Sequence, residues 1–150
     1  MLISEILKPS MVNLKLEAGS KEELFEEMVQ MYVSNGIIRD RDAAVMSLLE
    51  REAKMSTGIA RGFALPHGKL PEIKGVALAL GIVRGGIDFE SLDDEPVYVV
   101  IMLFSEPGNP TSHIEALSEI SRLLLIPGFL DRIRSAATPE QVLQIIREEE

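Results

Sequence analysis

Residues 12–16, VNLKL, alternate apolar with polar side chains, the period-two pattern of a strand with one buried face. From Ser20 the rhythm becomes helical. Leu24, Phe25, Met28, Val29, Met31 and Tyr32 recur at the spacing of one helix face, and Ser20 with Glu23 forms a capping-box pattern at its start. Ser34, Asn35 and Gly36 close it, with Gly36 as the stop. A second helix is predicted from about Asp40 to Met55, with Ala44, Val45, Leu48 and Leu49 facing inward and its methionines filling core. Between Thr57 and Gly75 the periodicity is lost among glycines and prolines, although GFALP has the look of a short strand. VALALGIV, residues 76–83, and VYVVIMLF, residues 97–104, flank a turn-rich stretch. The second run is continuously apolar and β-branched, as in a central strand buried on both faces.

After the loop SEPGNPTS, two starts are open for the next helix: Asn109 with Pro110, or Ser112 with Glu115 as a capping box. Ile114, Leu117, Ile120 and Leu124 mark its apolar face, and Pro127-Gly128 breaks it before a short helix in FLDRIRSAA. Thr138, Pro139 and Gln141 open the last helix, which runs out into Glu148, Glu149 and Glu150, read as a solvated, frayed end. Helices and strands mix through the whole chain, without repeat or linker. The expectation is one α/β domain over residues 1–150, a mixed β-sheet flanked by helices on both sides.

Composition narrows the function. The net charge of −9 and the lack of any Lys/Arg run argue against nucleic acid as a partner. An acidic surface suits a basic protein partner, or serves solubility. With no cysteine there is no disulfide, thiolate metal site or cysteine nucleophile. MLISEILKPSMV does not read as a signal peptide, so none is expected, and the longest apolar runs are too short to span a bilayer. A cytoplasmic protein without membrane insertion is expected. Nothing indicates its oligomeric state.

Several tempting patterns fail. GFALPHGKL has five residues between Gly62 and Gly68 where a phosphate loop needs four, and Leu70 stands where its hydroxyl residue belongs. GIVRGG lacks dinucleotide-binding spacing, and no serine sits in a nucleophile elbow. Two histidines 46 residues apart could join a carboxylate around a metal, but they lack the recurring HxH or HxxxH spacing, so no metal site is expected. Asp93, Asp94 and Glu95 before Pro96 read as a solvated turn rather than an acid–base pair.

His67 stands between Pro66 and Gly68 in what reads as a short, stiff loop. The residues alone leave it three roles: incidental surface histidine, metal ligand or nucleophile. A neutral imidazole is a competent nucleophile near pH 7, since its ordinary pKa is about 6.5.

Two stretches together change the weighing. REAKMSTGIARGFALPHGKLPEIKGVALALGIV, residues 51–83, and IDFESLDDEPVYVVIMLFSEPGNPTSHIEAL, residues 87–117, resemble the enzyme IIA domain of the fructose–mannitol type (type 2). That domain belongs to the bacterial phosphoenolpyruvate-dependent sugar phosphotransferase system, and its family includes nitrogen-regulatory IIA proteins. The likeness covers nearly the whole chain and is most specific from Thr57 through Gly68. It implies that His67 is the phospho-acceptor, loaded by the phosphocarrier HPr or a paralogue. It further implies that the group passes to a cysteine of a IIB domain, or that the phosphorylation state itself signals to regulated target proteins. Arg51, 16 residues before His67, and His113, 46 after it, fill the family's two supporting positions. The resemblance implies no cofactor. On its residues alone, Arg51 also reads as a surface helix arginine paired with a glutamate, and His113 as a packing residue beside Leu117, Ile120 and Leu124.

Overall fold

The computed structural model describes residues 1–150. Its centre is the apolar run predicted to be buried on both faces: β6, Val97–Ser105, in which only Tyr98 reaches solvent. β5, Val76–Ile87, pairs with it antiparallel along most of its length. β1, Val12–Asn13, adds to the far side of β5 in parallel. On the other side of β6 lie two short parallel segments, β3, Phe63–Ala64, and β4, His67–Lys69. β2, Gly58–Ala60, closes the edge against β3. The result is a mixed six-stranded sheet in the order β1-β5-β6-β3-β2, with β4 continuing the edge beyond β3.

Six helices cover it: α1, Ile3–Ile6; α2, Lys21–Ser34; α3, Arg41–Glu52; α4, Pro110–Leu124; α5, Phe129–Ser135; and α6, Pro139–Glu149. Leu80, Val99 and Ile101 point to one face, into a layer built by Ile3, Ile120, Phe129 and Ile146 from α1, α4, α5 and α6. Phe104 points to the other, where Tyr32 of α2 meets it edge-on at 5.1 Å between ring centroids. The Tyr32 hydroxyl donates to the Met102 carbonyl at 2.9 Å, which satisfies the one polar atom this buried ring carries. The chain is therefore a single α/β domain with helices on both faces of a mixed sheet.

The helix starts obey side-chain capping. Ser20 Oγ accepts from the Glu23 amide, while the Glu23 carboxylate reaches one residue further back than the box pattern, to the Gly19 amide. Thr138 and Gln141 repeat the arrangement at α6, with Gln141 on the Ala137 amide. Asn109 caps α4 with Pro110 in its first turn, so the Ser112 start is not used.

Several expectations need correction. The strand at 12–16 stops after Asn13, because the Asn13 side chain accepts from the Lys15 amide and turns the chain out of the ladder. The second helix ends at Glu52 rather than Met55, because side chains of its last turn capture the backbone of residues 55–57. β5 runs on to Ile87 across an irregularity after Ile82, into the stretch read as turns. Ile114 is 59% exposed rather than part of the buried face of α4. The terminal glutamates are pinned, not frayed: Glu150 accepts from the amide and hydroxyl of Ser4, and Glu148 and Glu149 pair with Arg132.

Candidate functional site

His67 begins β4 rather than lying in a loop, and the parallel register fixes its neighbours. His67 pairs with Leu103 and Gly68 with Phe104. Registered residues in a parallel ladder share a face. Gly68 therefore faces α3 and His67 faces the α4 side. Two residues past Leu103, Ser105 ends β6, and the loop after it leads to Asn109 and α4. This path returns His113, 46 residues away in sequence, to the His67 ring, with 5.5 Å between centroids. From the opposite face, Arg51 in the last turn of α3 reaches around the free edge of β4. Its Nε donates to His67 Nε2 at 3.2 Å, and its Nη1 donates to the Met55 carbonyl at 2.8 Å. The structure thus brings Arg51, His67 and His113 together, each from a different element.

The partners of His67 define its tautomer. Nδ1 lies 2.9 Å from the Leu65 carbonyl, which can only accept, so Nδ1 carries the proton. The Arg51 Nε–H can only donate, so Nε2 carries the lone pair. Half-burial pushes the His67 pKa below 6.5; the Leu65 hydrogen bond opposes this, the Arg51 charge adds to it, and the Glu52 carboxylate opposes it. The ring is neutral at physiological pH and presents one nucleophilic nitrogen.

His113 sits in the first turn of α4, half-buried, with Nδ1 2.9 Å from the buried Ser105 hydroxyl and Nε2 free of protein partners. Burial, then the His67 and Lys69 charges, holds its pKa below 6.5 as well. Arg51 makes no ion pair, contrary to the reading of it as a surface arginine with a glutamate partner. Its remaining N–H groups face an open cleft of about 370 Å³ lined by Ser47, Glu50, Lys54 and Lys69 beside the three predicted residues. A planar cation, two lysines and a first-turn histidine suit an incoming anion carrying several oxygens. No group of three His, Asp or Glu side chains is placed to hold a metal.

Ser105 and Lys69 escaped sequence reasoning. Lys69 carried a signal, being two residues from His67 on a strand and so on the same face. Ser105 carried none, since its proximity to His113 depends on the turn at 106–109.

The chain forms an α/β domain with a solvent-facing His–Arg–His cluster at a sheet edge. Residues 5–149 match the family model described as phosphoenolpyruvate-dependent sugar phosphotransferase system, EIIA 2. The chain is 34% identical over 148 residues to the PTS system fructose-specific EIIABC component of Bacillus subtilis, covering 99% of this chain but only 23% of that protein. It is 30% identical to the PTS system fructose-specific EIIA component of Haloferax volcanii, covering 97% of this chain and 95% of that one. The crystal structure of nitrogen regulatory protein IIA-Ntr from Neisseria meningitidis superposes with a TM-score of 0.89 at 28% identity, covering 96% of this chain and 98% of that one. The chain belongs to the EIIA type 2 family of the sugar phosphotransferase system, and is an EIIA-type phosphocarrier. No helix is long and apolar enough to cross a membrane.

Proposed function

We propose that residues 1–150 act as one IIA unit in which Nε2 of His67 accepts a phosphoryl group from the phosphohistidine of HPr or a paralogue and hands it to a cysteine of a IIB domain. The observation that carries this is the double constraint on the imidazole, with Nδ1–H on the Leu65 carbonyl and the Nε2 lone pair directed at Arg51. As the Nε2–P bond forms and the donor's N–P bond breaks, three phosphoryl oxygens carry negative charge through a loose transition state. The Arg51 Nε–H that held the lone pair moves to one of those oxygens, and its unpaired N–H groups take others. His113 Nε2 donates from the other side. The ring gains positive character as phosphorus bonds, and the Nδ1–H···O=C bond to Leu65 stabilises it. No proton need leave the ring. Transfer to a thiolate reverses the sequence, with the P–N bond breaking as the P–S bond forms.

The test is incubation with phosphoenolpyruvate, enzyme I and HPr, then intact mass. One acid-labile phosphoryl adduct is expected, absent in His67→Ala; an adduct that survives the substitution would overturn the assignment. Arg51→Ala is expected to stay folded and to transfer more slowly.

A second reading has support in the likeness to a IIA-Ntr structure: a regulator that controls target proteins through the same phosphohistidine. The two share every step up to loading of His67 and differ in the fate of the phosphoryl group. Adding a fructose-type IIB domain to the loaded protein separates them: rapid loss of label to IIB marks the carrier, and retention marks the regulator.

A further inference from the structure

Behind the cleft lies a buried ionic cluster that the transfer chemistry does not touch. Glu52, the last residue of α3, and Lys21, the first of α2, are 9% and 8% exposed and meet at 3.1 Å. Lys21 Nζ also lies 4.8 Å from the centroid of the buried Phe89 ring and 3.9 Å from the exposed Glu90 carboxylate. The Glu52 carboxylate accepts twice more, from the Thr57 amide at 2.8 Å and the Thr57 hydroxyl at 2.7 Å.

Thr57 is a junction. Its carbonyl accepts from the Leu65 amide at 3.0 Å, and the Leu65 carbonyl in turn accepts from His67 Nδ1 at 2.9 Å. Between Glu52 and Thr57 runs the short bend whose Met55 carbonyl anchors Arg51 Nη1 at 2.8 Å. One carboxylate therefore closes the bend that holds the arginine and fixes the peptide that holds the strand behind the histidine.

We infer that Glu52, clamped by Lys21, is a positioning residue that sets Arg51 and His67 against each other by tying down Thr57. The inference rests on the function proposed above. A buried ion pair is weak evidence for stability, since well-packed apolar replacements are often neutral or stabilising. The contacts of Glu52 converge instead on the backbone that supports the two reacting side chains. Glu52 touches neither the phosphoryl group nor the His67 ring. Its charge raises the His67 pKa from a distance, and its positioning acts through hydrogen bonds to Thr57.

Because a lone substitution strands a buried charge, both partners are changed together. Lys21→Met/Glu52→Gln keeps an acceptor for Thr57 and leaves no unpaired charge. Lys21→Met/Glu52→Leu removes the tie. The readouts are the rate of transfer from phosphorylated HPr and the imidazole ¹⁵N spectrum of unphosphorylated His67, which reports the Nδ1–H tautomer. The leucine pair is expected to lose transfer by about tenfold to a hundredfold, the penalty for ångström-scale misplacement, and to show mixed tautomers. The glutamine pair is expected to stay within about threefold of the parent, because its amide oxygen accepts from the Thr57 N–H and its NH2 donates to the Thr57 hydroxyl, which turns to accept. A folded leucine pair with parental rate and tautomer would overturn the inference, as would a glutamine pair that falls as far as the leucine pair. If the leucine pair does not fold, Thr57→Val decides. It removes only the hydroxyl bond, and mixed tautomers with slower transfer support the tie, while parental behaviour overturns it. Should the parent protein take no phosphoryl group at all, the functional reading fails while the tautomer readout still judges the positioning.

Discussion

Replacing Gly68 by alanine tests whether the spacing between α3 and β4 sets the chemistry. Gly68 is buried, and its backbone lies outside the left-handed region, so alanine is conformationally acceptable there. The obstacle is contact. A Cβ would lie 2.4 Å from Ser47 Oγ and 3.1 Å from Ser47 Cβ. The hydroxyl can rotate away but the Cβ cannot, so reaching ordinary carbon contact requires α3 to retreat by about 0.4 Å or more. Ser47 lies one helical turn before Arg51, so the retreat carries the guanidinium with it. The Arg51–His67 separation of 3.2 Å would open to about 3.6 Å, beyond hydrogen-bond range. Overpacking of this kind costs about 1–3 kcal/mol, offset by under about 1 kcal/mol from the stiffer unfolded chain. At roughly 2–4 °C per kcal/mol for a chain of this size, the melting temperature falls by up to about 10 °C. Rapid-quench measurement of His67 phosphorylation by phosphorylated HPr is expected to show a loss of about tenfold or more. Ser47→Gly/Gly68→Ala moves the methyl-sized bulk across the interface and is expected to recover most of the rate. Parental transfer in Gly68→Ala, with the His67 imidazole resonances unmoved, would refute the reasoning.

Ser105→Ala removes the hydroxyl that orients His113; the expected outcome is transfer slowed by about threefold to tenfold at a stability cost of about 1 kcal/mol, read from the same quench assay and a urea melt. The histidines also make stability depend on pH. Burial first, with the Arg51 charge adding at His67 and the His67 and Lys69 charges at His113, lowers both folded pKa values below 6.5. Above pH 6.5 both states are neutral there. Below it the unfolded chain takes up protons first, so stability falls as pH drops from 6.5 through the folded values, then levels off. The parent minus His67→Gln/His113→Gln difference in unfolding free energy, measured from pH 8 to 5, isolates this; a difference that does not change with pH would contradict it.

What could be read in the sequence depended on how locally each feature is determined. Residues 97–104 need only their own continuous apolarity to declare a central strand, and Ser20 and Thr138 announce helix starts within four residues, whereas Asn109 and Ser112 both offered a start for α4 and only the fold chose between them. The strand at His67 is three residues long and owes its existence to β6, so Pro66 and Gly68 made it read as a loop. At the N-terminus, Ile3, Leu7 and Met11 are buried one helical turn apart, but α1 and the 3₁₀ turn after it are too short for that spacing to stand out. The grouping of Arg51, His67 and His113 was suggested by family resemblance; spacing alone favoured a surface reading for Arg51 and left His113 evenly between packing and an anion-facing place in the first turn of its helix. Lys21 and Glu52, 31 residues apart, carried no signal in the sequence, because their partnership exists only once α2 packs on α3. The same holds for the closing glutamates, which look solvated until Arg132 and Ser4 are brought to them.

The hydrogen bonds between Glu150 and Ser4 place the two ends of the chain side by side, and neither end lines the cleft at His67. A unit with adjacent ends can be spliced into a larger polypeptide as a cassette, with entry and exit at one spot and the internal path unbroken. The same geometry lets a short bridge join the ends and new ones be opened at an exposed turn such as Asn35-Gly36, a circular permutation in which α1 and α6 stay packed together.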